Sequence, residues 1–108
     1  MRIGIDMDGV MISTIDLIAR ELSKHFGYRI TTDDTAHRLG EIEGASEYFR
    51  NRGEYLLCSI EPIEDAVEVV NNLSEEHEIY IISARYNHHY QVTLDWLKKY
   101  GVNVKEVI

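Results

Sequence analysis

The chain has 108 residues, with 19 acids against 11 lysines and arginines, one cysteine and a net charge of −8. That length suits a single domain; no apolar run approaches the roughly 20 residues of a membrane span, and the acidity excludes non-specific binding to nucleic acid or anionic membrane, which needs a basic surface. The lone Cys58 excludes an internal disulfide, fits a reducing cytoplasm and reads as a small core hydrophobe rather than a reactive thiol.

In chain order, the N-terminus reaches Asp6 too early for a signal peptide. Arg2 to Met7 reads as a strand that stops at the turn pair Asp8-Gly9. Residues 13–26 form an amphipathic helix, with Ile15, Ile18, Leu22 and Phe26 in one stripe and Gly27 at its end. From 28 to 60 the pattern weakens: Thr32-Asp33-Asp34 opens one short helix and Ser46 to Tyr55 makes a second. Pro62 followed by acids reads as a helix start, and Ile63, Ala66, Val67, Val70 and Leu73 carry that helix over 62–75. Glu78 to Ile82 is a continuous apolar run after its first residue, which suits a parallel strand buried on both faces. A helix over 89–100 shows Tyr90, Leu94, Leu97 and Tyr100 on one side, with Gly101 as its cap, and residues 102–108 read as a last strand. Strands alternating with helices imply an α/β fold with a parallel sheet, whose ligand site lies beyond the carboxyl ends of the strands.

Two segments leave strands at that end with unusual chemistry. In Asp6-Met7-Asp8-Gly9-Val10, a carboxylate held on the last strand position is suited to nucleophilic attack. A second, one step into the turn, can reach a leaving-group oxygen or an attacking water, and Gly9 lets the backbone bend away from a ligand. The plainer alternative is a turn with an acid at the strand end. In Ile81-Ile82-Ser83-Ala84-Arg85, the Ser83 hydroxyl, the backbone amides at the strand terminus and a bidentate Arg85 suit a phosphoryl group, although a serine can also merely cap a strand.

Ile3 to Val10 resembles the first motif of the haloacid dehalogenase (HAD) superfamily, D-x-D-G-[TV] after an apolar strand, and Ser83 resembles its second, a Ser or Thr at a strand end. Ser83-Ala84-Arg85 followed by Thr93-Leu94-Asp95-Trp96-Leu97 and Gly101 is similar to the deoxyribonucleotidase-like branch, where T-A-R and T-x-x-W-L-x-x-x-G recur in this order. The resemblance implies a Rossmann-like, three-layer HAD core from residues 1–12 and 62–108, cut at the third strand, with a small helical cap inserted at 13–61. It implies a magnesium-dependent phosphatase or nucleotidase, with Asp6 as nucleophile, Asp8 as general acid/base and magnesium on the Asp6 carboxylate and the Asp8 carbonyl. Gly9, Ser83, Ala84 and Arg85 would hold the phosphate of a small phosphorylated molecule such as a nucleoside monophosphate. The metal would answer the charge problem that an acidic chain has with an anionic substrate.

A cap at 13–61 would shield the reaction from water. Tyr48, Phe49, Tyr55 and His37 read as cap core before pocket lining, Arg50 and Arg52 as surface residues, and His88 and His89 as exposed or rim residues rather than metal ligands. The superfamily's third motif, a lysine, and fourth, one or two aspartates, have no counterpart before Ile108, and Lys105 stands inside the last strand. Three expectations follow: a piece of a longer enzyme, a homodimer through an open sheet edge, or an inactive phosphate-binding module. A receiver domain shares the layout but needs its phosphoacceptor on an internal strand.

Overall fold

The computed structural model describes residues 1–108. Strand β1 (Arg2–Asp6) is followed by helices α1 (Thr14–Phe26), α2 (Thr32–His37) and α3 (Ala45–Ser59), and a 3-10 turn at Leu39–Glu41 joins the last two. Then come α4 (Ala66–Ser74), β2 (Glu78–Ile82), a 3-10 turn (Asn87–His89), α5 (Tyr90–Lys99) and β3 (Glu106–Val107). The three strands are parallel in the order β1-β2-β3. This is the α/β architecture the alternating pattern predicts. No helix is long and apolar enough to cross a membrane.

A strand order that steps one way, with right-handed crossovers, places both connecting helices on one face. That face carries the main core: Ile79, Ile81 and Val107 pack with Val70 of α4 and Trp96 and Leu97 of α5. The helices of residues 1–108 therefore cover one side of the sheet. The opposite side shows Ile82 at 53% and Ile108 at 66% exposure. Here the expectation that Glu78–Ile82 is buried on both faces is corrected: burial alternates along β2, because no helix lies over its second face.

Four local expectations shift for identifiable reasons. Helix α4 begins at Ala66 rather than at Pro62, because the Ile63 amide donates to the Met11 carbonyl at 2.7 Å and Asp65 turns left-handed at φ 67°. The last strand shrinks to two residues, held by Lys105 N–H to Ile79 and Ile108 N–H to Ile81, both 2.7 Å. On α5 the buried residues are Thr93, Trp96 and Leu97, while Tyr90 faces solvent. Cys58 is exposed, not core; it lies in the last turn of α3 with its thiol on the Tyr55 carbonyl.

Between β1 and α4, a smaller cluster of Ile18, Leu22, Ile30 and Ala45 holds α1 to α3. Helix α2 starts at a capping box in which Thr31 and Asp34 bond each other's main chain, so the cap is Thr31, one residue earlier than the sequence suggests. Helix α3 also packs on the main core through Leu57, and the Trp96 indole donates to the Ile60 carbonyl at 2.7 Å. Tyr55 and His37 are exposed, and Phe49 packs against both clusters.

Candidate active site

Alternation along Asp6-Met7-Asp8 buries Met7 completely and leaves Asp6 exposed and Asp8 half-buried. The turn is pinned because Met11 and Ile12 are also buried and both donate to the Met7 carbonyl, while Gly9 donates to Ile12. Gly9 sits at φ 82°, a left-handed conformation that a side chain would strain. In the sheet register Asp6 lies opposite Ile82, so Asp6 and Ser83 leave adjacent parallel strands at the same end. Adjacent strands lie about 4.8 Å apart.

The two loops are tied together by one ion pair. Arg85 reaches back to Asp8, with Nη2 2.8 Å from Oδ1 and Nε 3.0 Å from Oδ2 and 3.2 Å from Oδ1. Its Nη1 donates to Thr93 Oγ1 at 2.8 Å, and that hydroxyl donates to the His89 carbonyl at 2.8 Å. From the other side Thr14, at the first turn of α1, donates to Asp8 Oδ1 at 2.6 Å. The Arg85 side chain is only 8% exposed. Burial alone would raise the Asp8 pKa, but the hydrogen bonds from Arg85 and Thr14 and the Arg85 charge outweigh it and hold the carboxyl below its usual range.

Ser83 Oγ accepts from the Arg85 amide at 3.2 Å, and Ala84 is exposed beside it. Ser83, Arg85 and Thr93 line a small cleft of about 80 Å³ with Tyr86, Asn87 and Tyr90; Asp6 and Asp8 stand outside its lining. Thus Asp6, Asp8, Gly9, Ser83, Ala84 and Arg85 all lie at one end of the sheet, with Arg85 engaged by a carboxylate. Sequence reasoning overlooked Thr14 and Thr93; Thr93 stood in plain view as the first residue of T-x-x-W. It also misplaced His89, which is fully buried instead of lying at the rim. His88 is exposed and its Nε2 pairs with the Arg50 carbonyl at 2.9 Å.

The family described as 5′ nucleotidase, deoxy (Pyrimidine), cytosolic type C protein matches residues 1–108, the whole chain. The chain belongs to that family. The solved structure of a hydrolase from Streptococcus pneumoniae is similar at TM-score 0.60 and 14% identity over 99% of this chain. The HAD-hydrolase YfnB from Bacillus subtilis, bound to magnesium, is similar at TM-score 0.63 and 15% identity over 98% of it. At such identities the likeness concerns the fold, which is that of HAD hydrolases. The chain spans 64% and 63% of those two proteins, less than two thirds of their length. No curated protein matches it in sequence.

The family implies magnesium, and the donor set can be tested against it. No three His, Cys, Asp or Glu side chains group as a metal cage. Arg85 and Thr14 fill Oδ1 of Asp8 and Arg85 holds Oδ2 as well, which leaves the exposed Asp6 as the carboxylate without a partner at the end of β1. Magnesium is commonly held by one or two protein oxygens, with water and substrate phosphate completing the octahedron. The residues fit an ion of that open kind.

Proposed function

We propose that this chain carries the phosphate-binding and nucleophilic part of a phosphomonoester hydrolase acting on a nucleoside monophosphate, by way of an aspartyl-phosphate on Asp6. The observation that supports it is the common exit of Asp6 and Ser83 from neighbouring parallel strands, with Arg85 tying Asp8 to the loop after Ser83. An Asp6 carboxylate oxygen attacks phosphorus, the bond to the ester oxygen breaks, and that oxygen leaves with the electron pair and a proton from Asp8. Water then attacks the phosphorus of the aspartyl-phosphate and gives its proton to Asp8, which restores the Asp6 carboxylate and releases inorganic phosphate. A phosphate dianion beside Asp8 raises the affinity of Asp8 for a proton by like-charge repulsion, opposing the Arg85 clamp. Ser83 Oγ and the Ala84 amide hydrogen-bond the phosphoryl oxygens. Asp6 and the Asp8 carbonyl would hold magnesium, which would offset the charge of the phosphate. An exposed free thiol suits a reducing cytoplasm, in keeping with the cytosolic description of the family.

The test is hydrolysis of p-nitrophenyl phosphate and deoxyribonucleoside monophosphates with magnesium, alongside Asp6→Asn. Turnover that Asp6→Asn abolishes is expected; equal rates in both proteins would refute the nucleophile. A second reading is a phosphate-binding module without turnover, favoured by the Arg85 and Thr14 hydrogen bonds that hold the Asp8 carboxyl below its usual pKa range. Inorganic phosphate binding with no hydrolysis would select it.

A further inference from the structure

The Arg85 guanidinium has the chemistry of a phosphate ligand but the placement of something else. Its side chain is nearly closed off from solvent, and it spends Nε and Nη2 on Asp8 and Nη1 on Thr93. Thr93 is itself buried and tied to the main chain at the start of α5. The guanidinium is thus bolted to the core at one end and to the β1 turn at the other.

The contacts on Asp8 are uneven. Oδ1 receives Thr14 Oγ1, Arg85 Nη2 and Arg85 Nε, at 2.6, 2.8 and 3.2 Å. Oδ2 receives Arg85 Nε alone, at 3.0 Å. A carboxylate offers about four acceptor positions over its two oxygens, so Oδ1 is saturated and Oδ2 keeps room for one more partner.

We infer that Arg85, braced by Thr93, is the positioning residue of Asp8: it saturates Oδ1 and turns Oδ2 outward as the oxygen that exchanges a proton with the leaving group and the attacking water. This rests on the acid/base role proposed above for Asp8. Arg85 then contributes through Asp8 and not by touching the phosphate. Arg85→Lys keeps a positive charge but loses the planar fork; Thr93→Val keeps the shape of the brace and loses its acceptor.

The experiment combines kinetics with phosphate binding and the arginine Nε–H signals in proton–nitrogen NMR, that of Arg85 being identified by its disappearance in Arg85→Lys. Misplacing a reacting group by an ångström costs about 100-fold, so Arg85→Lys should lower kcat/KM on a deoxyribonucleoside monophosphate by about that factor. On p-nitrophenyl phosphate, whose leaving group needs little protonation, the loss of kcat/KM should be about tenfold or less. Thr93→Val should show the same pattern, weaker. Inorganic phosphate should bind Arg85→Lys as tightly as the parent, and Thr93→Val should shift the Arg85 Nε–H signal. Equal losses of kcat/KM on the two substrates, or a marked loss of phosphate affinity in Arg85→Lys, overturns the inference. If the parent protein hydrolyses neither substrate, the proposed function fails. The signal then still decides on Arg85: a slowly exchanging Nε–H that Thr93→Val displaces upholds the clamp, and a fast-exchanging one removes it.

Discussion

His89 is wholly buried, and neither of its ring nitrogens has a hydrogen-bond partner. Burial, reinforced by the neighbouring His88, holds its pKa below the usual value. A ring that is harder to protonate in the folded chain than in the unfolded one makes the unfolded state the better proton binder. The stability due to this group is therefore complete above about pH 6.5 and declines as the pH falls from there through the lower folded value. Urea midpoints measured from about pH 8 down to about pH 5 should fall, and His89→Leu should flatten that slope. An identical slope in both proteins would mean that His89 is not the group responsible. Nothing in the adjacent pair His88-His89 tells which ring goes inward. Inside, the Phe49 and Tyr86 rings meet His89 edge-on at 5.6 and 5.5 Å.

Helix α3 carries a glycine in its middle, which costs about 1 kcal/mol against alanine unless packing requires it. Packing does: a Cβ on Gly53 would stand 2.6 Å from His89 Nε2, and the buried ring has nowhere to retreat. Overpacking of this kind costs about 1–3 kcal/mol, more than the helix gains. Gly53→Ala should therefore lower the melting temperature by a few degrees, about what 1 kcal/mol does in a domain of this size; a higher melting temperature would show that the contact yields. The sequence exposes the periodic elements well, and β1, α1, β2 and α5 fall within a residue or two of their expected limits. It is poor where one element is set by another. The start of α4 is displaced by a main-chain bond from Ile63 to Met11, and the inward face of α5 turns toward Trp96 because the indole has a carbonyl to reach at Ile60. In the site, Asp6, Asp8 and Ser83 were legible because strand ends in a parallel sheet share one edge. The pairing of Arg85 with Asp8, 77 residues apart, was not, since it depends on how two loops face each other.

Across residues 1–108 the sheet has β1 at one edge. β1 pairs with β2 on one side only, with the Met1 carbonyl accepting from the Glu78 amide at 2.9 Å. Hydrogen bonding in a parallel strand alternates, so the Arg2, Gly4 and Asp6 amides point to the free edge. An edge of this kind is a template for another strand, and a second copy about a two-fold axis is the simplest supplier. Charge opposes it, because each copy carries −8. Added salt should therefore strengthen association rather than weaken it, as the Debye length falls from about 10 Å at 0.1 M to about 3 Å at 1 M. Sedimentation velocity over micromolar to millimolar protein should show a dimer whose fraction grows with salt. Arg2→Pro removes an amide from the free edge without touching the ladder to β2, and should shift the equilibrium to monomer where Arg2→Ala does not. A chain that sediments as a monomer throughout, or two variants that behave alike, would leave the β1 edge satisfied by water.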